Sequence, residues 1–211
     1  MIKIENTETY GWEEAIRGMR NPMNSWDKSD SDRFDLVVSC QLGKNDLELA
    51  KKLAKAGTDH RKFMRMITVY CDITAPLYWW KEFDTYKVGT VANSCSTMHK
   101  IQAKEFTIDD FSHEHILDET FTGLINPATL LNGIIDALNQ NRKLYLETKD
   151  KKYWWQMIQL LPSSYNQKRT VMMNYEVLAN IYKSRNNHKL DEWREFCDWI
   201  EGLSYSELIT G

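Results

Sequence analysis

Apolar residues recur with two periods along this chain, and each period predicts a kind of element. Ile2 and Ile4 alternate with polar neighbours in residues 1–7, which predicts a short strand with those side chains inward. Residues 11–20 read as a helix. Asn21-Pro22-Met23-Asn24-Ser25 stops it, because proline disfavours helix at the residue before it. Residues 26–33, rich in Asp and Ser, read as a loop. Leu47, Leu49, Ala50, Leu53 and Ala54 lay an apolar stripe along a helix at 45–56, with Gly57 as its stop.

Residues 63–73 are apolar and partly β-branched, which favours a buried strand, with helix as the alternative, and Ala75-Pro76 breaks it. The aromatic stretch 77–86 reads as helix, and the small polar stretch 89–96 as a loop or turn. An acidic segment, 106–122, carries His113 and His115. Helical patterns follow at 128–148, at 153–161 up to Pro162, at 170–183 and at 189–201, with a solvated turn at 149–152. The whole predicts one α+β domain over 1–211, without a repeated βαβ rhythm.

Composition narrows the classes. A 42% hydrophobic, 27% charged chain is ordinary for a globular protein. Eight Trp and ten Tyr supply apolar bulk for a core and for an interface between copies. Net charge −3 and a pI of about 6.0 argue against a broad nucleic-acid surface, while leaving room for one local phosphate pocket. Cys40, Cys71, Cys95 and Cys197 form no CxxC pair, so reduced thiols in a cytoplasmic protein are expected. The N-terminus lacks a basic start before an apolar run, and no stretch approaches the ~18 apolar residues of a span, so neither secretion nor a membrane is expected.

Candidate chemistry is sparse. No GxGxxG, GxxxxGK[ST] or GxSxG occurs, which removes the anchors of Rossmann, P-loop and hydrolase readings. Ser112-His113-Glu114-His115 places two histidines at i, i+2. A shared face requires a strand, and with no third ligand an exposed polar segment is the better reading, so no metal is expected. Lys87 and Lys100 flank Asn93-Ser94-Cys95-Ser96-Thr97, a segment that suits a phosphate or is an ordinary polar loop. Arg185, at the end of a helix, either caps the dipole or grips a planar or anionic ligand. Asn174 and Asn180 fall six apart in the same predicted helix, either on an exposed face or as hydrogen-bond donors to a cofactor ring.

Taken together, these residues resemble the flavin-dependent thymidylate synthases over nearly the whole length. Met19-Arg20 stands in the place of the family's N-terminal Ala-x-Arg element. Gly57 to His60 resembles its Gly-His turn, with His60 fifteen residues before Ala75-Pro76. Leu77-Tyr78-Trp79-Trp80-Lys81-Glu82-Phe83 follows the register of the central motif. From Leu161-Pro162 the spacing is twelve residues from Pro162 to Asn174, six to Asn180 and five to Arg185, and His188, Glu192 and Arg194 resemble the terminal segment. The departures lie in the central motif. Its Arg-His-Arg falls on Thr85-Tyr86-Lys87, its glutamine on Glu82, and later arginines on Ile158 and Glu176. Its downstream run fits with a one-residue slip, through Asn93, Ser94, Ser96, Met98 and His99.

The resemblance implies a helix-rich α+β fold with a small antiparallel or mixed sheet, in a homotetramer. It implies FAD as cofactor, NADPH and methylenetetrahydrofolate as cosubstrates, and dUMP as the nucleotide methylated at C5. Carried over residue by residue, His60, Lys87, Asn174 and Asn180 are expected at the cofactor. Glu82, Ser94, Ser96 and Arg185 are expected at the substrate, with Arg185 also expected to be catalytic. The lost cations leave open a relative that binds flavin or a nucleotide without catalysis, or one with a changed substrate.

Overall fold

A computed structural model describes residues 2–31, 41–119 and 125–211. Cys40 and the ends of the expected segments at 1–7, 26–33 and 106–122 fall outside them. The chain is helix-rich α+β, with a four-stranded antiparallel sheet. The strands are β1 (Lys3–Tyr10), β2 (Thr68–Pro76), β3 (Val91–Ser94) and β4 (Asn166–Asn174), in the order β1-β2-β4-β3. The helices are α1 (Trp12–Arg20), α2 (Lys44–Lys55), α3 (Leu77–Phe83), α4 (Pro127–Thr148), α5 (Lys151–Leu160), α6 (Tyr175–Arg185), α7 (Asp191–Glu201) and α8 (Glu207–Thr210). No described helix is long and apolar enough to cross a membrane.

The described chain divides into two compact units. The larger holds residues 2–73, 84–93 and 170–211. There β1 turns into α1 at Gly11, whose φ of +85° is in the left-handed region. A Cβ at that position would lie 2.1 Å from the Met66 carbonyl oxygen, so only glycine fits. Ala15, Ile16 and Met19 form the buried face of α1, and Val69, Cys71 and Ile73 point inward from β2 at the strand period of two. Trp193, Phe196 and Ile200 of α7 complete this core with Leu178 and Ile181 of α6. Each fully buried side chain of this size contributes about 1.5–3 kcal/mol.

One polar node is buried with them. Asp46 of α2 accepts from Arg20 Nε at 2.5 Å, from the hydroxyls of Ser29 (2.8 Å) and Ser31 (2.7 Å), and from the amides of Asp30 (3.1 Å) and Ser31 (3.0 Å). Arg20 also donates to the Ser25 carbonyl at 3.2 Å. The node ties the 25–31 loop to two helices, with Arg20 on one oxygen of the carboxylate and the loop's four donors on the other. Burial alone would raise the Asp46 carboxyl, but the donated hydrogen bonds from Ser31, Ser29 and Arg20 outweigh it and hold it below the usual range.

The smaller unit holds residues 74–83 and 94–169. Its scaffold is the α4–α5 hairpin. Asn126 caps α4 by accepting from Thr129 N at 3.0 Å, Asp150 caps α5 through Lys152 N at 3.0 Å, and Lys149 turns the corner at φ +57°. Ile101, Phe106 and Phe111 pack on Leu131, Ile135, Leu138 and Met157. Asn139 fixes the incoming strand-like segment by bonding both the amide (2.9 Å) and the carbonyl (2.8 Å) of Phe106. On α3, Trp79 stacks on Phe83 with centroids 5.0 Å apart, and Trp80 Nε1 donates to the Gln167 carbonyl at 2.9 Å.

Several sequence expectations change. Residues 170–174 belong to β4 rather than to a helix: Gln167, Val171 and Met173 are buried in strand alternation, and the apolar run masks the switch to α6. Residues 91–94 are a strand, β3, although all four side chains are exposed. Their order comes from backbone pairing at the sheet edge, which leaves no apolar signature. The strand expected from residue 63 begins only at Thr68, because 61–65 form a 3₁₀ turn, and Lys151 and Lys152, expected in a turn, are already helical. Helix α8 carries no strong pattern and was not expected.

Candidate functional site

The expected residues of the larger unit gather along α6. Asn174 precedes this helix rather than lying within it: its side-chain oxygen accepts from Val177 N at 3.0 Å as the N-cap. That explains an asparagine at this position in terms of helix formation. Tyr175 N donates to the Ile67 carbonyl at 3.1 Å and fixes where the helix begins. The amide of Asn174 also meets the loop after Tyr86. Gly89 has φ +78°, and a Cβ there would stand 2.6 Å from Asn174 Nδ2, so the glycine lets the loop lie against the cap. Lys87, two residues earlier, is exposed.

In the first turn of α6, an arginine pair grips an acid. Arg61 Nε lies 3.3 Å from Glu176 Oε1, and Arg65 donates to both oxygens of the same carboxylate. Arg61 also donates to Asn180 Oδ1 at 2.9 Å. Burial would raise the Glu176 carboxyl, but hydrogen bonds and charge from Arg65, then Arg61, hold it below the usual range. The Arg65 guanidinium is pushed up, chiefly by its hydrogen bond to Glu176. His60 starts the 3₁₀ turn that carries both arginines, with its ring exposed and its amide bonded to the Gly57 carbonyl at 3.1 Å.

At the far end of α6, Arg185 is placed by three rings. Its Nε donates to the Tyr86 hydroxyl at 2.9 Å, and its Nη1 lies 3.0 Å from His188 Nε2. The guanidinium carbon sits 4.7 Å from the Trp193 ring centroid, within cation–π range. The side chain is therefore oriented before any ligand arrives, and its planar fork suits a carbonyl edge or an anion. Trp193 and Phe196, at 5.9 Å between centroids, brace the ring behind it.

The remaining expected residues lie in the smaller unit. Glu82 is half-buried on α3, and Ser94 ends β3 with its side chain exposed. Ser96 accepts from the amides of Met98 (3.2 Å) and His99 (2.8 Å), which makes its hydroxyl the pivot of a turn. It lines a polar pocket of about 270 Å³ with Cys95, Thr97, Lys104 and Lys168. The Asn166 side-chain oxygen beside it is buried without a hydrogen-bond donor. His113 Nδ1 lies 2.8 Å from the Phe111 carbonyl, and Glu114 accepts from Ser112 and from the His113 amide, a local turn network. Among the described residues no three His, Cys, Asp or Glu are arranged around a metal ion.

Sequence reasoning left out Arg61, Arg65, Gly89 and Trp193. The signal for the arginines was present: they lie four apart directly after His60. That Glu176 is their partner is a tertiary fact, with more than a hundred residues between them.

No protein-family profile matches the chain, and no curated protein matches it. Solved structures do. A flavin-dependent thymidylate synthase from Helicobacter pylori, complexed with FAD and dUMP, superposes with a TM-score of 0.69 at 15% identity, over 99% of this chain and 97% of its own. A further structure of that enzyme with FAD and dUMP gives 0.70, also at 15% identity, over 100% and 97%. A UMP/dUMP methylase from Streptomyces cacaoi, bound with 5-Br dUMP, gives 0.60 at 12% identity, over 96% and 89%. The fold is therefore that of the flavin-dependent thymidylate synthases.

Proposed function

We propose that the chain, as one domain over 1–211, is an FAD-dependent thymidylate synthase-like enzyme that methylates dUMP at C5. The observation that carries this reading is the ordering of Asn174, Asn180 and Arg185 along α6, each already oriented by a protein partner. Fold neighbours complexed with FAD and dUMP support it. FAD when bound supplies redox chemistry, with NADPH as its reductant and methylenetetrahydrofolate as the one-carbon donor. The residues present fit a flavin nucleotide: Arg61, Arg65 and Lys87 offer cations for a diphosphate, and Gly89 keeps the loop low over the Asn174 amide.

In this reading His60, Lys87, Asn174 and Asn180 contact the cofactor. Arg185 holds the pyrimidine and polarises it, kept in position by Tyr86 and His188. Glu82, Ser94 and Ser96 meet the nucleotide. Cys71 and Cys197 take no part as nucleophiles, since burial pushes their thiols up to about 12 and about 11. A homotetramer in the cytoplasm, with the site shared between copies, completes the proposal.

One observation favours a second reading. Glu176 stands where the resemblance places a flavin-contacting arginine, and it occupies both Arg61 and Arg65. A changed nucleotide, or flavin binding without turnover, follows if those cations are not available to the cofactor. The test is the visible spectrum of the purified protein after incubation with FAD and desalting. A retained flavin band that shifts with dUMP, together with rescue of a thymidine-requiring strain, is the expected result. Retention without a shift or rescue selects the second reading, and a colourless protein overturns both.

A further inference from the structure

Glu176 sets a carboxylate where the resemblance places an arginine, and its surroundings are fixed on both sides. Arg61 and Arg65 lie at the two ends of the 3₁₀ turn, and Phe63 and Met64 between them are 4% and 0% exposed. Glu176 follows the Asn174 cap in the first turn of α6, which Val177 and Leu178 anchor in the core. With both backbones clamped by packing, rearrangement is left to the side chains.

Two guanidinium groups converge on this carboxylate. Arg61 Nε and Arg65 Nη2 each reach Oε1 at 3.3 Å, and Arg65 Nε takes Oε2. Arg65 thus holds Glu176 with a two-pronged fork, the geometry with which arginine also holds a phosphate. Arg65 is exposed, and an ion pair open to water is weak enough to exchange. We propose that Glu176 is the specificity-determining residue of this anion site: an internal counter-anion that a diphosphate must displace before it holds both arginines. That the diphosphate belongs to FAD rests on the reading above; the exchange itself does not. The device turns charge into selectivity. A group with several charges gains more from two arginines than the single carboxylate does, while a neutral tail gains nothing.

The test compares the full chain with Glu176→Gln, which keeps the shape of the side chain and removes its charge. The first probe is inorganic pyrophosphate, followed through the ¹⁵N–¹H signal of Arg65 Nε. Saturable movement is expected in both proteins, with Glu176→Gln binding about ten-fold more tightly. Glu176→Asp draws the carboxylate back from the arginines. It should give a smaller gain, and it decides the matter even where Glu176→Gln does not fold. Arg65→Gln added to Glu176→Gln cancels the gain. Glu147→Gln, which removes the same charge from an exposed position on α4, brings none. The second probe is the ratio of FAD to riboflavin affinity, expected to rise about ten-fold in Glu176→Gln with riboflavin binding unchanged. Equal pyrophosphate affinity with and without the Glu176 charge overturns the assignment. So does a gain that survives Arg65→Gln, that Glu147→Gln reproduces, or that riboflavin shares. Pyrophosphate binding needs no flavin. A colourless protein with the gain therefore sinks the flavin reading alone, and a retained flavin without the gain sinks this inference alone.

Discussion

Two arginine–carboxylate nodes in the same unit do different work. Arg20 and Asp46 are 4% and 0% exposed, and the carboxylate takes five donors. Glu176 is 12% exposed, but one of its partners, Arg65, is 52% exposed, and the other, Arg61, shares itself with Asn180. In the first node every charge is out of water and every bond is internal, so it can only hold the fold together. In the second, water competes for the arginines, the pairing is weaker, and guanidinium edges remain for a ligand. Burial, more than the identity of the ion pair, separates a structural node from one that can take part in binding.

The largest expected effect comes from breaking the buried node. Asp46→Ala leaves Arg20 charged and unpaired, and about 3–5 kcal/mol of stability should be lost, read from the urea midpoint at constant slope. Equal loss in Glu176→Ala would dissolve the contrast. Next is Arg185, placed by rings at the end of α6. Arg185→Ala should lower dUMP turnover about ten-fold or more, the equivalent of one charged hydrogen bond at about 1.5–3 kcal/mol, with an unchanged circular dichroism spectrum. Unaltered turnover would remove it from the proposed chemistry.

Acid should distinguish the nodes further. Both carboxyls are held below their ordinary values of 3.8 for Asp46 and 4.5 for Glu176. The stability they contribute is therefore complete above those values, and it fades as pH falls toward the lowered native ones. Asp46→Asn should flatten the loss of stability below about pH 4 more than Glu176→Gln does, measured by denaturant titration at stepped pH. At neutral pH, Glu176→Gln should change stability by about 1 kcal/mol or less. Smallest of all is the effect of blocking Cys95. Being exposed, it should react with a thiol reagent in the native state without a change in stability, whereas Cys71 and Cys197 should react only on unfolding. Reaction at Cys71 before Cys95 would mean that β2 opens more readily than its burial indicates.

Helices with a clear stripe and a stop were legible from the sequence: α1, α2, α4, α5 and α7 lie within a few residues of where the pattern put them. Elements that failed were those whose order is not written in side chains. β3 shows four exposed residues and is held by its neighbour's backbone, and β4 runs into α6 without a break in apolar character. At the site, the spacing of Asn174, Asn180 and Arg185 was readable. That Asn174 caps the helix instead of lying in it was not, because a cap is defined by backbone angles.

The sequence by itself determined which segments bury a face, where Gly and Pro end helices, and that the C-terminal asparagines and arginine keep a fixed spacing. Periodicity and backbone restrictions are local, so they are present in the chain order. The tertiary structure alone decided what those residues touch: Glu176 with Arg61 and Arg65, Arg185 with Tyr86 and Trp193, Asp46 with Arg20. It also decided which glycine had to be a glycine, since Gly11 and Gly89 answer to atoms far along the chain. Electrostatic partners and close approaches depend on distance in space, and chain order does not encode distance beyond a few turns.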